Sequence, residues 1–294
     1  MTSRREFLVA ATGLGVVAMH PEWLSGQAPP VKTVLKTPVG LQLYSLRDAF
    51  KKDGVPATLS VVRSLGIREV ESAGLYGLTT SQFRAELDKA DLVCRASHMG
   101  LERLRDDTAA ALAEAKGLGA SWVVCPYINH QKPFTKDQAL KAAVAFNTIA
   151  KAAQSEGMKF AYHCHGFEFV QEGSGTLFDT LVAATDAQLV AFELDVFWVK
   201  AGGGDPVQEI GKLNERVAFL HLKDMKKGLT FERGTSGAPS DTGVPLGAGQ
   251  IDWAAVLAAT EKQGKPVVYY IEDESPDPVP QIKQTLKYLS SLTL

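Results

Sequence analysis

Cysteine is scarce in this chain, with three among 294 residues, an odd number. Cys94, Cys125 and Cys164 each fall inside a strand-like stretch. They read as small buried residues, and a disulfide framework is excluded as the basis of the fold. Charge of one sign is scarce too. A net charge of −2 and an isoelectric point near 6.3 give no strongly basic face, so nucleic acid is excluded as an expected partner. There are only six histidines, so their positions carry information. The apolar run over 8–19 is too short to span a bilayer. What remains is an ordinary globular composition, 45% hydrophobic and 22% charged.

The N-terminus departs from that composition. Ser3-Arg4-Arg5-Glu6-Phe7-Leu8, directly ahead of the short apolar run, resembles a twin-arginine export signal. Gln27-Ala28 is a candidate cleavage point. The expected organisation is a signal and cleavage region over 1–30 and a single folded domain over 31–294. The resemblance implies a periplasmic or secreted protein with no stable membrane anchoring after cleavage. Because the twin-arginine route carries folded proteins, the lack of disulfides is compatible with it.

From residue 39 onward, strand-like and helix-like runs alternate between short Gly- or Pro-marked joints. Strands are expected over 39–46, 68–73, 92–99, 121–128, within 159–169, and over 189–196, 217–223 and 266–273. Helices are expected over 55–65, 80–89, 108–118, 136–155, 175–184, from 206 onward, and over 252–263 and 279–292. Eight such pairs predict an α/β fold, a single-domain (β/α)8 TIM barrel. The polar Gly-, Ser- and Thr-rich segment over 225–250 reads as a functional or mobile loop.

Within KFAYHCHGFEF (159–169), residues two apart share a strand face, so Ala161, His163 and His165 point the same way. Other strand ends carry polar residues too: Gln42, Glu71, His98, Glu193, Asp195, His221, Lys223 and Glu272. Such barrels place their active sites at these C-terminal strand ends. Each residue alone would pass for a satisfied polar terminus. Together, His, Asp, His and Glu at four successive strand ends suit a divalent cation held by N and O ligands with positions left for substrate.

The stretches GLQLYSLRD (40–48), ASHMGL (96–101), YHCHGFEF (162–169), FELDVFWVKAGG (192–203), FLHLKDM (219–225), VPLGAGQIDW (244–253) and YYIEDE (269–274) resemble the sugar phosphate isomerase/epimerase family. This is the xylose-isomerase-like barrel, which also includes tagatose and psicose epimerases, inosose-processing enzymes and endonuclease IV. The resemblance implies one divalent metal on His163, Asp195, His221 and Glu272, with Mn ranked ahead of Zn, Co or Mg. It implies metal-assisted proton abstraction next to a sugar carbonyl through an enediolate, in an isomerase or epimerase acting on a small carbohydrate. A lyase cleaving 3-keto-glycosides by the same enolisation, or a non-catalytic carbohydrate-binding barrel, are the alternatives. Whether the chain forms a homo-oligomer stays open.

Two departures bear on the chemistry. His163 stands where the epimerases usually place a glutamate of a two-base pair, and Trp198 where a histidine often follows the metal-binding aspartate. The expected catalytic set is therefore Glu272, with Glu168 or His165 as second base and Lys223 stabilising an oxyanion. Gln42, Glu71, His98 and Trp198 are the expected substrate contacts, Trp198 as a flat wall against a sugar ring.

Overall fold

In the computed structural model, which describes residues 30–293, eight parallel strands close into a barrel. They are β1 (Val39–Gln42), β2 (Glu69–Ser72), β3 (Val93–His98), β4 (Trp122–Cys125), β5 (Lys159–His163), β6 (Val190–Asp195), β7 (Val217–Leu222) and β8 (Val268–Ile271). Each pairs with its sequence neighbour, and β1 closes the ring on β8. The expected (β/α)8 barrel is the observed one. Residues 1–29, where the export signal is read, lie outside the described residues. No helix among the described residues is long and apolar enough to cross a membrane.

Several helices begin where the sequence supplies caps. Thr79 with Gln82 opens α3 (Thr80–Lys89), and Thr135 with Gln138 opens the twenty-residue α6 (Lys136–Ser155), both as capping boxes. Alanines 139, 142, 143, 150 and 153 form the buried stripe of α6, and their small side chains let it lie close on β5. Short helices go beyond the sequence expectation: α1 (Arg47–Asp53), α4 (Leu101–Asp106) and α8 (Val196–Ala201). The strand expected over 39–46 ends at Gln42, because the Gln42 side chain accepts from the Tyr44 N–H and turns 43–46 into a 3-10 helix.

The barrel interior is layered. Ala96, Val124, Ala161, Phe219 and Tyr270 make an apolar plug, all fully buried. Gly40 permits it, since a Cβ there would meet the Tyr270 ring at 2.6 Å. Two residues further along the same inward rows stand His98, His163, His221 and Glu272, so the polar layer sits on the plug and faces the C-terminal mouth.

Candidate metal centre

Strand register builds the centre. His163 pairs with Glu193 across β5 and β6, Asp195 with His221 across β6 and β7, and Gln42 with Glu71 across β1 and β2. An irregularity between Phe192 and Glu193 shifts the β6–β7 register and leaves Asp195 opposite His221. Bulges of this kind commonly re-aim side chains beside active sites.

One ligand atom from each of His163, Asp195, His221 and Glu272 lies within 4.8 Å of the others, and all four residues are buried. The two oxygens of Asp195 divide their work. Oδ1 accepts the Trp198 N–H at 2.9 Å and caps α8. Oδ2 is buried without a hydrogen-bond partner, 3.9 Å from His221 Nδ1 and 4.0 Å from His163 Nε2. An orphaned buried carboxylate oxygen is costly. These separations suit ligands that each stand about 2.1 Å from a shared ion. The residues present fit a divalent cation.

The charges around the centre are uneven. Burial opposes ionisation of Glu272, but the Lys223 charge and the His221 hydrogen bond hold it well below the usual carboxylate range. Burial dominates at Asp195 and raises it, with Lys223 and His163 pulling the other way. Burial would lower His98, yet the charges of Glu71 and Glu193 carry it up to about 10.

Above the centre opens a cavity of about 560 Å³ lined by Tyr44, Tyr127, His98, His163, His165, Trp198, Glu272 and Glu274, with Ser236, Gly237 and Ala238 reaching in from the long segment after β7. His165 stands between aromatic rings, 5.0 Å from Trp198 and 5.0 Å from Tyr127. Its Nδ1 is buried and unpartnered. Burial, then the His163 and Lys223 charges, push it well below the ordinary imidazole value, which keeps it neutral at physiological pH.

Of the residues singled out in the sequence, His98, His163, His165, Trp198 and Glu272 meet at this cavity, with Asp195 and His221 just beneath. Four others do not reach it. Gln42 and Glu71, expected as substrate contacts, are fully buried below the floor, where Gln42 Nε2 donates to Glu71 at 2.7 Å. Glu168, expected as a base, is fully buried and accepts from the Tyr162 hydroxyl and, at 3.0 Å, from the His165 N–H. Lys223, expected at an oxyanion, is buried with its ammonium on Glu274 and over the Phe197 and Trp198 rings. Glu274 was missed, although YYIEDE places it two residues past Glu272 on the same alternation. Glu193, from the sequence only a polar strand end, contacts His98 at 2.8 Å and His163 at 3.0 Å.

Fold and site together define a TIM-barrel protein with a histidine–carboxylate centre at the C-terminal mouth. The family model for the xylose isomerase-like TIM barrel matches residues 59–292, and the chain belongs to that family. Among curated relatives, an inosose dehydratase of Clostridium tetani is 31% identical over 104 residues, covering 34% of this chain and 33% of the relative. One of Bacillus anthracis is 28% identical over 102 residues, covering 35% of this chain and 34% of the relative. The chain thus matches about a third of the length of these relatives. A solved sugar phosphate isomerase/epimerase from Parabacteroides distasonis superposes with a TM-score of 0.73 at 22% identity, covering 90% of this chain and 98% of that one. A solved L-ribulose 3-epimerase gives 0.62 at 16% identity, covering 85% and 92%.

Proposed function

We propose that this protein is a divalent-metal-dependent enzyme that removes a proton next to the carbonyl of a small carbohydrate. The observation that carries the reading is the unpartnered Asp195 Oδ2 within the His163, Asp195, His221 and Glu272 group, directly beneath a cavity walled by a neutral His165. When bound by those four residues, a divalent cation supplies Lewis-acid polarisation of the carbonyl. Mn is the ion we rank ahead of Zn, Co and Mg.

The chain's own residues carry the rest. His165 accepts the proton, and the C–H electron pair moves into the enediolate. Trp198 and Tyr127 orient the sugar ring by stacking and exclude water from one side. Glu274, held by Lys223, accepts a hydrogen bond from a substrate hydroxyl. Return of the proton to the neighbouring carbon isomerises the sugar, and return to the opposite face of the same carbon epimerises it. A second reading draws on the inosose dehydratases among the relatives. If the adjacent carbon bears an oxygen substituent, the enediolate expels it, and a 3-keto-glycoside is cleaved as a lyase substrate. The resemblance of 1–30 to a twin-arginine signal supports a periplasmic or extracellular setting for this chemistry.

The test combines elemental analysis with NMR of ketohexoses and 3-keto-glycosides in D₂O. We expect one metal per chain, lost in His221→Ala, and substrate C–H exchange or elimination that a chelator stops. His165→Ala should keep its metal and lose exchange by about 10²–10⁴-fold, the usual contribution of a general base. Metal retained without exchange on either substrate class would favour a carbohydrate-binding barrel and overturn the enzymatic reading.

A further inference from the structure

A second group of histidines and carboxylates overlaps the metal centre: His98, His163, Glu193 and His221 also bring ligand atoms within 4.8 Å of one another. The two groups share His163 and His221 but use opposite ring nitrogens. On the side of Asp195 stand His163 Nε2, at 4.0 Å, and His221 Nδ1, at 3.9 Å. On the other side, His163 Nδ1 lies 3.0 Å from Glu193 Oε2, and His221 Nε2 lies 3.0 Å from Glu71 Oε2 and 3.2 Å from Glu193 Oε1.

We propose that Glu193 and Glu71 are positioning residues, a carboxylate collar that fixes which nitrogens of His163 and His221 are free to bind the metal, and that the second group is this collar rather than a second cation site. A neutral imidazole has one N–H and one lone pair. If both groups held ions, both shared rings would have to lose their last N–H. With one ion, each ring donates its N–H to the collar and turns its lone pair toward Asp195 Oδ2. A carboxylate accepting from a ligating histidine also raises the basicity of the ligating nitrogen.

The geometry separates the two groups. Collar contacts to the shared rings are hydrogen-bond lengths, 3.0 Å from Glu193 Oε2 and 3.0 Å from Glu71 Oε2, with both oxygens occupied by further donors. His98 Nε2 binds Glu193 Oε2 at 2.8 Å and lies 3.2 Å from Glu71 Oε2, so it ties the two carboxylates together. Gln42 completes the ring of donors on Glu71. On the metal side both shared rings stand about 4 Å from Asp195 Oδ2, a spacing for an ion and not for a hydrogen bond, and the one short contact, His221 Nδ1 to Glu272 Oε2 at 2.9 Å, joins two of the four ligands. Each collar carboxylate keeps one buried oxygen without a partner, but its other oxygen already takes a shared ring at hydrogen-bond length. Glu71 and Glu193 are fully buried and absent from the cavity wall, so neither touches substrate.

The inference rests on the four-ligand assignment made above, and its test distinguishes the two. Full-length protein is stripped of metal and titrated with Mn²⁺ and Zn²⁺ against a chromogenic chelator. We expect one ion per wild-type chain, and the same stoichiometry with affinity weakened by about 10–100-fold in Glu193→Gln and in Glu71→Gln, the usual effect of removing such a partner. A wild-type chain that binds no ion overturns the ligand assignment and the collar with it. One ion bound with unchanged affinity in a folded Glu193→Gln or Glu71→Gln chain overturns the collar alone. Two ions per wild-type chain, falling to one in His98→Gln, overturn it in favour of a second cation site, and that stoichiometry is decisive even if both glutamine variants fail to fold.

Discussion

The carboxylate of Glu168 never meets the cavity, yet it holds the backbone of the residue that does. Its two oxygens accept from the Tyr162 hydroxyl and the His165 N–H, which fixes the turn after β5. Burial pushes its acid form up from 4.5 to about 8, with those hydrogen bonds pulling the other way. Between these values the folded chain keeps a proton that the unfolded chain has released. Stability therefore falls as pH rises across that window, with a slope of up to about 1.4 kcal/mol per unit. Glu168→Gln removes the titration, so the variant should gain on wild type steadily from pH 5 to pH 8 in urea unfolding. Parallel profiles would mean that Glu168 is ionised throughout. His163, His165, Asp195, His221 and Glu272 were legible in the sequence because strand alternation and their terminal positions both point inward. Gln42 and Glu71 satisfied the same criteria but lie too deep. Depth along the barrel axis follows from strand tilt and stagger, which alternation does not encode. Nor does alternation say which nitrogen of a histidine faces which carboxylate, so Glu193 had no visible role.

At the scale of elements, the segment over 225–250 reads from composition as a functional or mobile loop, and one buried carboxylate gives it a fixed course. Asp224 Oδ1 accepts from the N–H groups of Met225 at 2.7 Å and Ile251 at 3.2 Å. Oδ2 accepts from those of Gly247 at 3.0 Å and Gly249 at 3.1 Å. Gly249 is required, since a Cβ there would sit 2.1 Å from Asp224 Oδ1. The far end of the segment carries Ser236, Gly237 and Ala238 to the cavity. Asp224→Ala strands the buried N–H groups of Met225, Gly249 and Ile251 and the more exposed one of Gly247, and each buried donor left unpaired costs about 1–3 kcal/mol. We expect a loss of at least about 3 kcal/mol in urea unfolding, new protease cleavage within 226–250, and a raised KM. Unchanged cleavage would show that the segment is held by other contacts. The barrel elements themselves were legible because most strands are apolar runs with polar ends and helices such as α3 and α6 carry their own caps. Helices α1, α4 and α8, of six or seven residues, are too short for a 3.6-residue period to show.

For the whole molecule, the described chain joins the packing of the barrel ahead of β1, with Val31 and Leu35 half-buried against the core. The Thr37 hydroxyl donates to the Val267 carbonyl at 2.6 Å just before β1 starts at Val39. Residues 59–292 carry the family match, and every ligand of the proposed centre lies within them. A cut near Gln27-Ala28 lies ahead of the matched region and of every one of these ligands in the sequence. All three cysteines are buried and free, so the fold needs no oxidising compartment to form. The centre, by contrast, draws one ligand from each of three strands, β5, β6 and β7, and a fourth from the residue just past β8, and exists only once the barrel has closed. On the proposed reading the centre is filled before export, in a folded protein, which is what the twin-arginine route accepts. We predict that replacing Arg4 and Arg5 by Lys in the full-length chain retains metal-loaded protein in the cytoplasm, with its elemental content and thermal midpoint equal to those of the exported form. Fractionation with metal analysis of each fraction checks this. Undiminished periplasmic protein in the double variant would exclude the twin-arginine route, and metal-free protein retained in the cytoplasm would show that the centre is filled only after export.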